Sequence, residues 1–78
     1  MSKIKINLYG VLAEAIGENH IILENCSKSS HVLQKIEKKY PEISKYNYVL
    51  AVNNKIVDKE IEIAEHNRLD LMPPFSGG

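Results

Sequence analysis

The residues best placed to do chemistry in this chain stand at its end, where the sequence closes on Pro73-Pro74-Phe75-Ser76-Gly77-Gly78. A Gly-Gly pair has no side chain to pack and carries the highest backbone entropy, so folding alone gives no reason for it. The two prolines make a stiff, extended spacer, Phe75 an apolar anchor, and the glycines a bare backbone tip. Six residues at about 3.3–3.6 Å each reach roughly 20 Å from the body of the domain. Such a tail can thread a narrow channel in another protein and deliver the Gly78 carboxylate to a buried site, and any Cβ at the tip would widen the thread. A carboxylate is inert at neutral pH until it gains a better leaving group. ATP supplies one by forming an acyl-adenylate. A sulfur donor can then displace AMP and leave a terminal thiocarboxylate, a soft nucleophile, with no second functional group needed on the carrier.

The remaining chemistry-bearing residues are scattered. His20, His31 and His66 fall in different elements, and no pair has a ligand spacing such as C-x-x-C or H-x-x-x-H, so no metal is expected. Cys26 lies in a polar loop with no histidine beside it. Asp58, Glu60 and Glu62 alternate along extended chain and read as a solvated face, without the apolar pocket that would raise a carboxyl pKa for acid–base work. Lys35, Lys38 and Lys39 could touch phosphate, but Glu37 and Glu42 dilute them, and a wet helix face accounts for them.

Composition narrows the classes further. At 78 residues the chain is one domain with room for one small core and little for a ligand pocket, which favours a partner-dependent protein over a self-sufficient enzyme. Ten Lys+Arg balance ten Asp+Glu, which excludes binding to nucleic acid or an anionic membrane through bulk positive charge. One cysteine cannot form an internal disulfide, so a reducing, cytoplasmic setting is expected. No apolar run approaches the roughly 20 residues that span a bilayer, and the start MSKIKINLYG carries no signal-peptide core.

The elements that must hold the tail follow from hydrophobic periodicity. Lys3 to Tyr9 alternates polar and apolar without error and predicts a strand, broken at Gly10. Leu12, Ala15 and Ile16 share a helical face, and Gly17 suits the left-handed C-cap. His20–Glu24 reads as a second strand. Ser29 or Ser30 is the candidate N-cap of a helix carrying Val32, Leu33, Ile36 and Tyr40 on one stripe, with lysines in its last turn and Pro41 as its stop. Residues 43–47 are ambiguous. Tyr48–Val52 reads as a buried strand, and Asn53-Asn54 as a tight turn into Lys55–Val57. Ile61 and Ile63 suggest a further short strand or extended piece, and Glu65-His66-Asn67 a polar turn. Arg68–Met72 is the last strand, with Leu69 and Leu71 inward, and Pro73-Pro74 ends the sheet. The class is α+β, a sheet with helices on one face, dividing into a domain over 1–72 and a tail over 73–78.

Three stretches carry a resemblance that covers the chain essentially end to end. They are Leu8-Tyr9-Gly10-Val11-Leu12-Ala13-Glu14-Ala15-Ile16-Gly17, Leu50-Ala51-Val52-Asn53, and Leu71-Met72-Pro73-Pro74-Phe75-Ser76-Gly77-Gly78. This pattern resembles the small sulfur-carrier subunits of molybdopterin synthase, and the Pro-Pro-x-x-Gly-Gly ending is the most specific part. The resemblance implies a ubiquitin-like β-grasp, a mixed sheet packed against a long helix with a flexible tail. It also implies that Gly78 is adenylated by an ATP-dependent activating enzyme and converted to a thioglycine by way of a sulfur-donor protein. Leu71 and the tail residues Pro73, Pro74, Phe75, Ser76, Gly77 and Gly78 would then contact a large catalytic subunit, where sulfur passes to cyclic pyranopterin monophosphate within a heterotetramer. On this reading the chain binds no cofactor and is not catalytic alone. Two positions depart from the family pattern: Ala13 stands where an arginine is usual, and Glu65-His66 where Asp-Gly is favoured. The alternatives are a thiamin-thiazole sulfur carrier, usually shorter and without the double proline, and a ubiquitin-like modifier joined to lysine amines through Gly78.

Overall fold

Alternation along β1 (Lys3–Leu8) puts Ile4, Ile6 and Leu8 on one side, where each is at most 4% exposed, and Lys3 and Lys5 on the other. A computed structural model describes residues 3–74 of the chain, and in it β1 is followed by α1 (Gly10–Ile16), β2 (His20–Glu24), α2 (Ser29–Lys39), a 3-10 helix (Pro41–Lys45), β3 (Val49–Val52), β4 (Lys55–Ile56) and β5 (Leu69–Met72). The strands form one sheet in the order β2-β1-β5-β3-β4. β1 and β5 pair in parallel, with Ile6 opposite Leu69, Asn7 opposite Asp70 and Leu8 opposite Leu71. The other pairings are antiparallel, so the sheet is mixed, as expected.

One core lies between the sheet and the helices. Leu12 of α1, Val32 and Ile36 of α2 and Ile43 of the 3-10 helix are fully buried against Ile4, Ile6, Leu69 and Leu71. Ile43 thus resolves the ambiguous stretch: Pro41 stops α2, and the tighter turn that follows returns an apolar side chain to the core. Of the two forms suggested around Ile61 and Ile63 the chain takes the extended one, with an isolated bridge between Lys28 and Glu62 and with Ile63 packed in the core. Asn53 and Asn54 take φ of 52° and 70° in the β3–β4 turn, the left-handed region that asparagine tolerates.

The N-cap of α2 departs from expectation. Lys28 occupies the cap position and makes no side-chain cap bond. Ser29 is already helical and buried, and its Oγ accepts the Ile61 N–H at 3.0 Å while its own N–H goes to the Ile61 carbonyl. The free Ser30 N–H is met from outside the helix by Glu60 Oε1 at 3.3 Å. Hydrogen bonding from Ser30, its side chain first and its backbone N–H after, holds the exposed Glu60 carboxyl below its ordinary pKa. Serine here serves the 61–63 segment, because a buried hydroxyl must find a partner wherever the tertiary structure offers one. Among the described residues no helix is long and apolar enough to cross a membrane.

Candidate functional site

β5 delivers the chain to the tail. Leu69 and Leu71 are fully buried, so this strand is anchored on its helix-facing side. Leu71 therefore cannot offer its side chain to a partner, contrary to the contact role expected for it. The half-buried Met72 and Pro73 are the first residues at the tail root with surface to give. Met72 still pairs with Val49 on β3, and the ladder stops at Pro73, which has no N–H to donate.

Pro73 lies over Gly10. A Cβ added to Gly10 would sit 3.3 Å from Pro73 Cγ and 3.7 Å from Cδ, and Gly10 has φ of +58°. Glycine is needed here twice over, for the backbone conformation and for the close approach of the ring. Pro74 is exposed. The expected roles of Phe75, Ser76, Gly77 and the reactive Gly78 fall outside the described residues.

Behind this contact lies a polar cluster on the face of the sheet turned away from the helices. Asp70 accepts hydrogen bonds from Tyr9 OH at 2.9 Å, Asn7 Nδ2 at 3.1 Å and Arg68 Nε at 2.9 Å. Arg68 also donates from Nη2 to Tyr9 OH at 3.2 Å. The Asp70 side chain is only 4% exposed, while that of Arg68 is 56% exposed. Burial pushes the Asp70 carboxyl up, but the bonds from Arg68, Tyr9 and Asn7 together outweigh it and hold the group below its ordinary value. Arg68 is raised in turn, chiefly by its bond to Asp70. The cluster bridges residues 61 and 63 apart in sequence and ties the β1–α1 turn to β5.

Elsewhere the candidates separate. His20 is on β2, His31 on α2 with Nδ1 3.4 Å from Ser27 Oγ, and His66 in the 64–67 turn. Among the described residues no three His, Cys, Asp or Glu side chains gather in a way that could hold a metal ion. Cys26 is 3% exposed; burial raises its thiol pKa, with Lys35 opposing, so at neutral pH it is a packed thiol rather than a nucleophile. Lys35, Lys38 and Lys39 line an open groove of about 580 Å³ between β2 and α2, with Lys3 on its other side. Lys35 Nζ donates to the carbonyls of Glu24 and Asn25, and Lys39 Nζ lies 5.7 Å from the Tyr40 ring, so both are engaged locally.

Both positions that depart from the family pattern are accommodated locally. Ala13 packs half-buried against the core, and its carbonyl accepts the C-capping N–H of Gly17. The turn before β5 is closed by Asn67: Oδ1 accepts from Ala64 N at 2.7 Å and Asn67 N donates to the Ala64 carbonyl at 3.0 Å. Glu65 meanwhile accepts the Lys3 N–H at 3.2 Å. Residue-by-residue reading did not single out Gly10, Tyr9, Arg68 or Asp70 as a group. Period two makes Asp70 simply a polar residue on a wet face, and no local pattern signals a contact across 61 residues.

Comparison with known proteins bears on the whole chain. The family model described as the ThiS family matches residues 6–78. The molybdopterin synthase sulfur carrier subunit of Dictyostelium discoideum is 32% identical over 84 residues, spanning 99% of this chain and 98% of its own. Among solved structures, a Pyrococcus furiosus protein carrying the name molybdopterin converting factor, subunit 1, superposes with a TM-score of 0.84 at 16% identity, over 96% of this chain and 100% of its own. Small archaeal modifier protein 1 of H. volcanii follows at 0.82 and 16%, over 96% and 100%. The complex of subunits 1 and 2 of the molybdopterin-converting factor from Helicobacter pylori 26695 contains a chain that matches at 0.69 and 16%, over 97% and 99%. At these identities the structures speak for the fold, and that fold is the ubiquitin-like β-grasp.

Proposed function

The chain belongs to the ThiS family, and from that premise we propose that it is the sulfur-carrier subunit of a molybdopterin synthase. The observation that carries this reading is the end-to-end likeness, at 32% identity, to a curated sulfur carrier subunit. The terminal carboxylate of Gly78 attacks the α-phosphate of ATP, bound to an activating enzyme, and releases pyrophosphate. A persulfide sulfur on a donor protein then attacks the acyl carbon, and AMP leaves with the carboxylate oxygen; a thiol cleaves the resulting acyl disulfide, forming a disulfide with the donor, and a thiocarboxylate remains on Gly78. The tail 73–78 enters a large catalytic subunit, which supplies the pterin-binding residues, and the sulfur passes to cyclic pyranopterin monophosphate. The H. pylori complex of subunits 1 and 2 supports a two-subunit assembly of this kind. The carrier itself binds no metal or cofactor on this reading, and ATP is consumed by the activating enzyme in a reducing, cytoplasmic setting.

Intact mass after incubation with activating enzyme, ATP and a sulfur source tests the proposal. The expected result is an oxygen-to-sulfur shift confined to the C-terminal residue. An unchanged carboxylate sinks it. Deleting Gly78 abolishes the shift and leaves the melting temperature where it was, because the last strand of the described domain ends at Met72.

The structural likeness to a small archaeal modifier protein favours one second reading. The same acyl-adenylate, met by a lysine amine instead of sulfur, yields an isopeptide. Conjugated bands in cell extract that disappear with Gly78 would mark that use of the tail.

A further inference from the structure

The segment proposed to carry sulfur leaves the sheet at Pro73, and three separate features converge on that point. Gly10 leaves open the space in which its Cβ would lie 3.3 Å from Pro73 Cγ. Tyr9, the residue before it, is held through its hydroxyl by Asp70 at 2.9 Å and by Arg68 at 3.2 Å. Asp70 itself stands on β5, three residues before Pro73. One carboxylate therefore ties together the two pieces of chain that meet where the tail begins. Desolvating a carboxylate is costly unless it is paired and bonded. Asp70 and Ser29 are the buried polar residues among those described, and Ser29 serves the 61–63 segment on the other side of the molecule's core.

We propose that Gly10, backed by Tyr9 and Asp70, is a seat that sets the direction in which the C-terminal tail departs, and so governs how readily Gly78 enters a partner's channel. This rests on the sulfur-carrier reading. Gly10 touches no reacting atom and is a positioning residue. The physical basis is leverage. Pro73 and Pro74 have fixed φ and behave as a short rigid spacer, so a displacement of the first ring re-aims the second and with it the point from which residue 75 starts. Once the tip is threaded, the channel walls fix its geometry. The seat therefore acts on entry rather than on the chemical step.

Gly17 offers a matched control. It too has positive φ, +86°, but nothing lies within 4 Å of its Cβ position. Gly10→Val and Gly17→Val thus carry the same kind of backbone strain, and only the first pushes on Pro73. In a reconstituted complex with the large subunit, Gly10→Val is expected to raise KM for sulfur transfer about tenfold with kcat little changed. Gly17→Val leaves KM where it was. Gly10→Ala, whose single Cβ meets the Pro73 ring at 3.3 Å, raises KM less than Gly10→Val does. Equal KM values for the two valine variants, or an alanine variant as poor as Gly10→Val, would overturn the seat. If the wild-type chain never acquires sulfur, the carrier reading fails, and the seat is judged separately. A nitroxide on Gly78→Cys, in a Cys26→Ser background, broadens a set of amide signals that Gly10→Val redistributes and Gly17→Val does not. An unchanged broadening pattern overturns it as well.

Discussion

On the side of the sheet turned toward α1 and α2, Ile4, Ile6, Leu69 and Leu71 are at most 1% exposed. On the opposite side Lys3, Lys5 and Ile22 reach solvent, yet Asp70 and Ala51, paired across β5 and β3, are only 3% exposed. The first side is held by area removed from water, a non-directional effect that any apolar side chain of the right volume supplies. The second is held at its centre by directional bonds to one carboxylate, which only a fixed set of donors can satisfy. Core packing therefore secures the fold as a whole. The polar cluster adds one local constraint, and it falls where the tail leaves the domain.

That contrast can be broken most forcefully from the helix side. Leu71→Ala removes a fully buried side chain between β1 and β3 and is expected to cost about 2–5 kcal/mol in urea unfolding. A loss below 1 kcal/mol would mean that β5 is not anchored through this face. Asp70→Ala on the open face is expected to cost less, about 1–3 kcal/mol, since the freed Arg68 and Tyr9 groups lie near enough to solvent to hydrate.

The two faces also differ in their response to acid. The folded-state pKa of Asp70 lies below its ordinary value, so its contribution is complete above the unfolded-state carboxyl pKa of about 4 and fades as pH falls through the lower folded value. The stability gap between wild type and Asp70→Asn should therefore narrow on acidification below about pH 4. The cost of Leu71→Ala should persist there. A gap for Asp70→Asn that widens in acid would show that its hydrogen bonds do not favour the charged form. The smallest effect belongs to the exposed part of the open face. Ile22→Thr, at a residue 44% exposed, should change stability by no more than about 0.5 kcal/mol in the same urea titration.

Period-two alternation was legible over Lys3–Leu8 and Leu69–Met72 because each strand has one face against the core, and burial on that face is a property of successive residues. The Val32/Ile36 stripe of α2, the Gly17 cap and the Asn53-Asn54 turn were legible for the same local reason. What escaped was every polar contact with a distant partner. Serine at 29 looks like an N-cap in sequence, but a segment more than thirty residues away claims its hydroxyl. Alternation placed Leu71 inward, and its burial between β1 and β3 agrees; the contact role that the tail motif lent it conflicted with that reading.

The sequence by itself determined the α+β class and the buried face of each long strand, because periodicity and propensity depend on neighbouring residues. Tertiary structure alone decided that Asp70 would be buried, that Tyr9 and Arg68 would close over it, and that Gly10 would lie beneath Pro73. Those contacts exist only once the parallel pairing of β1 with β5 brings the first and last strands together, and no short window of residues contains both partners.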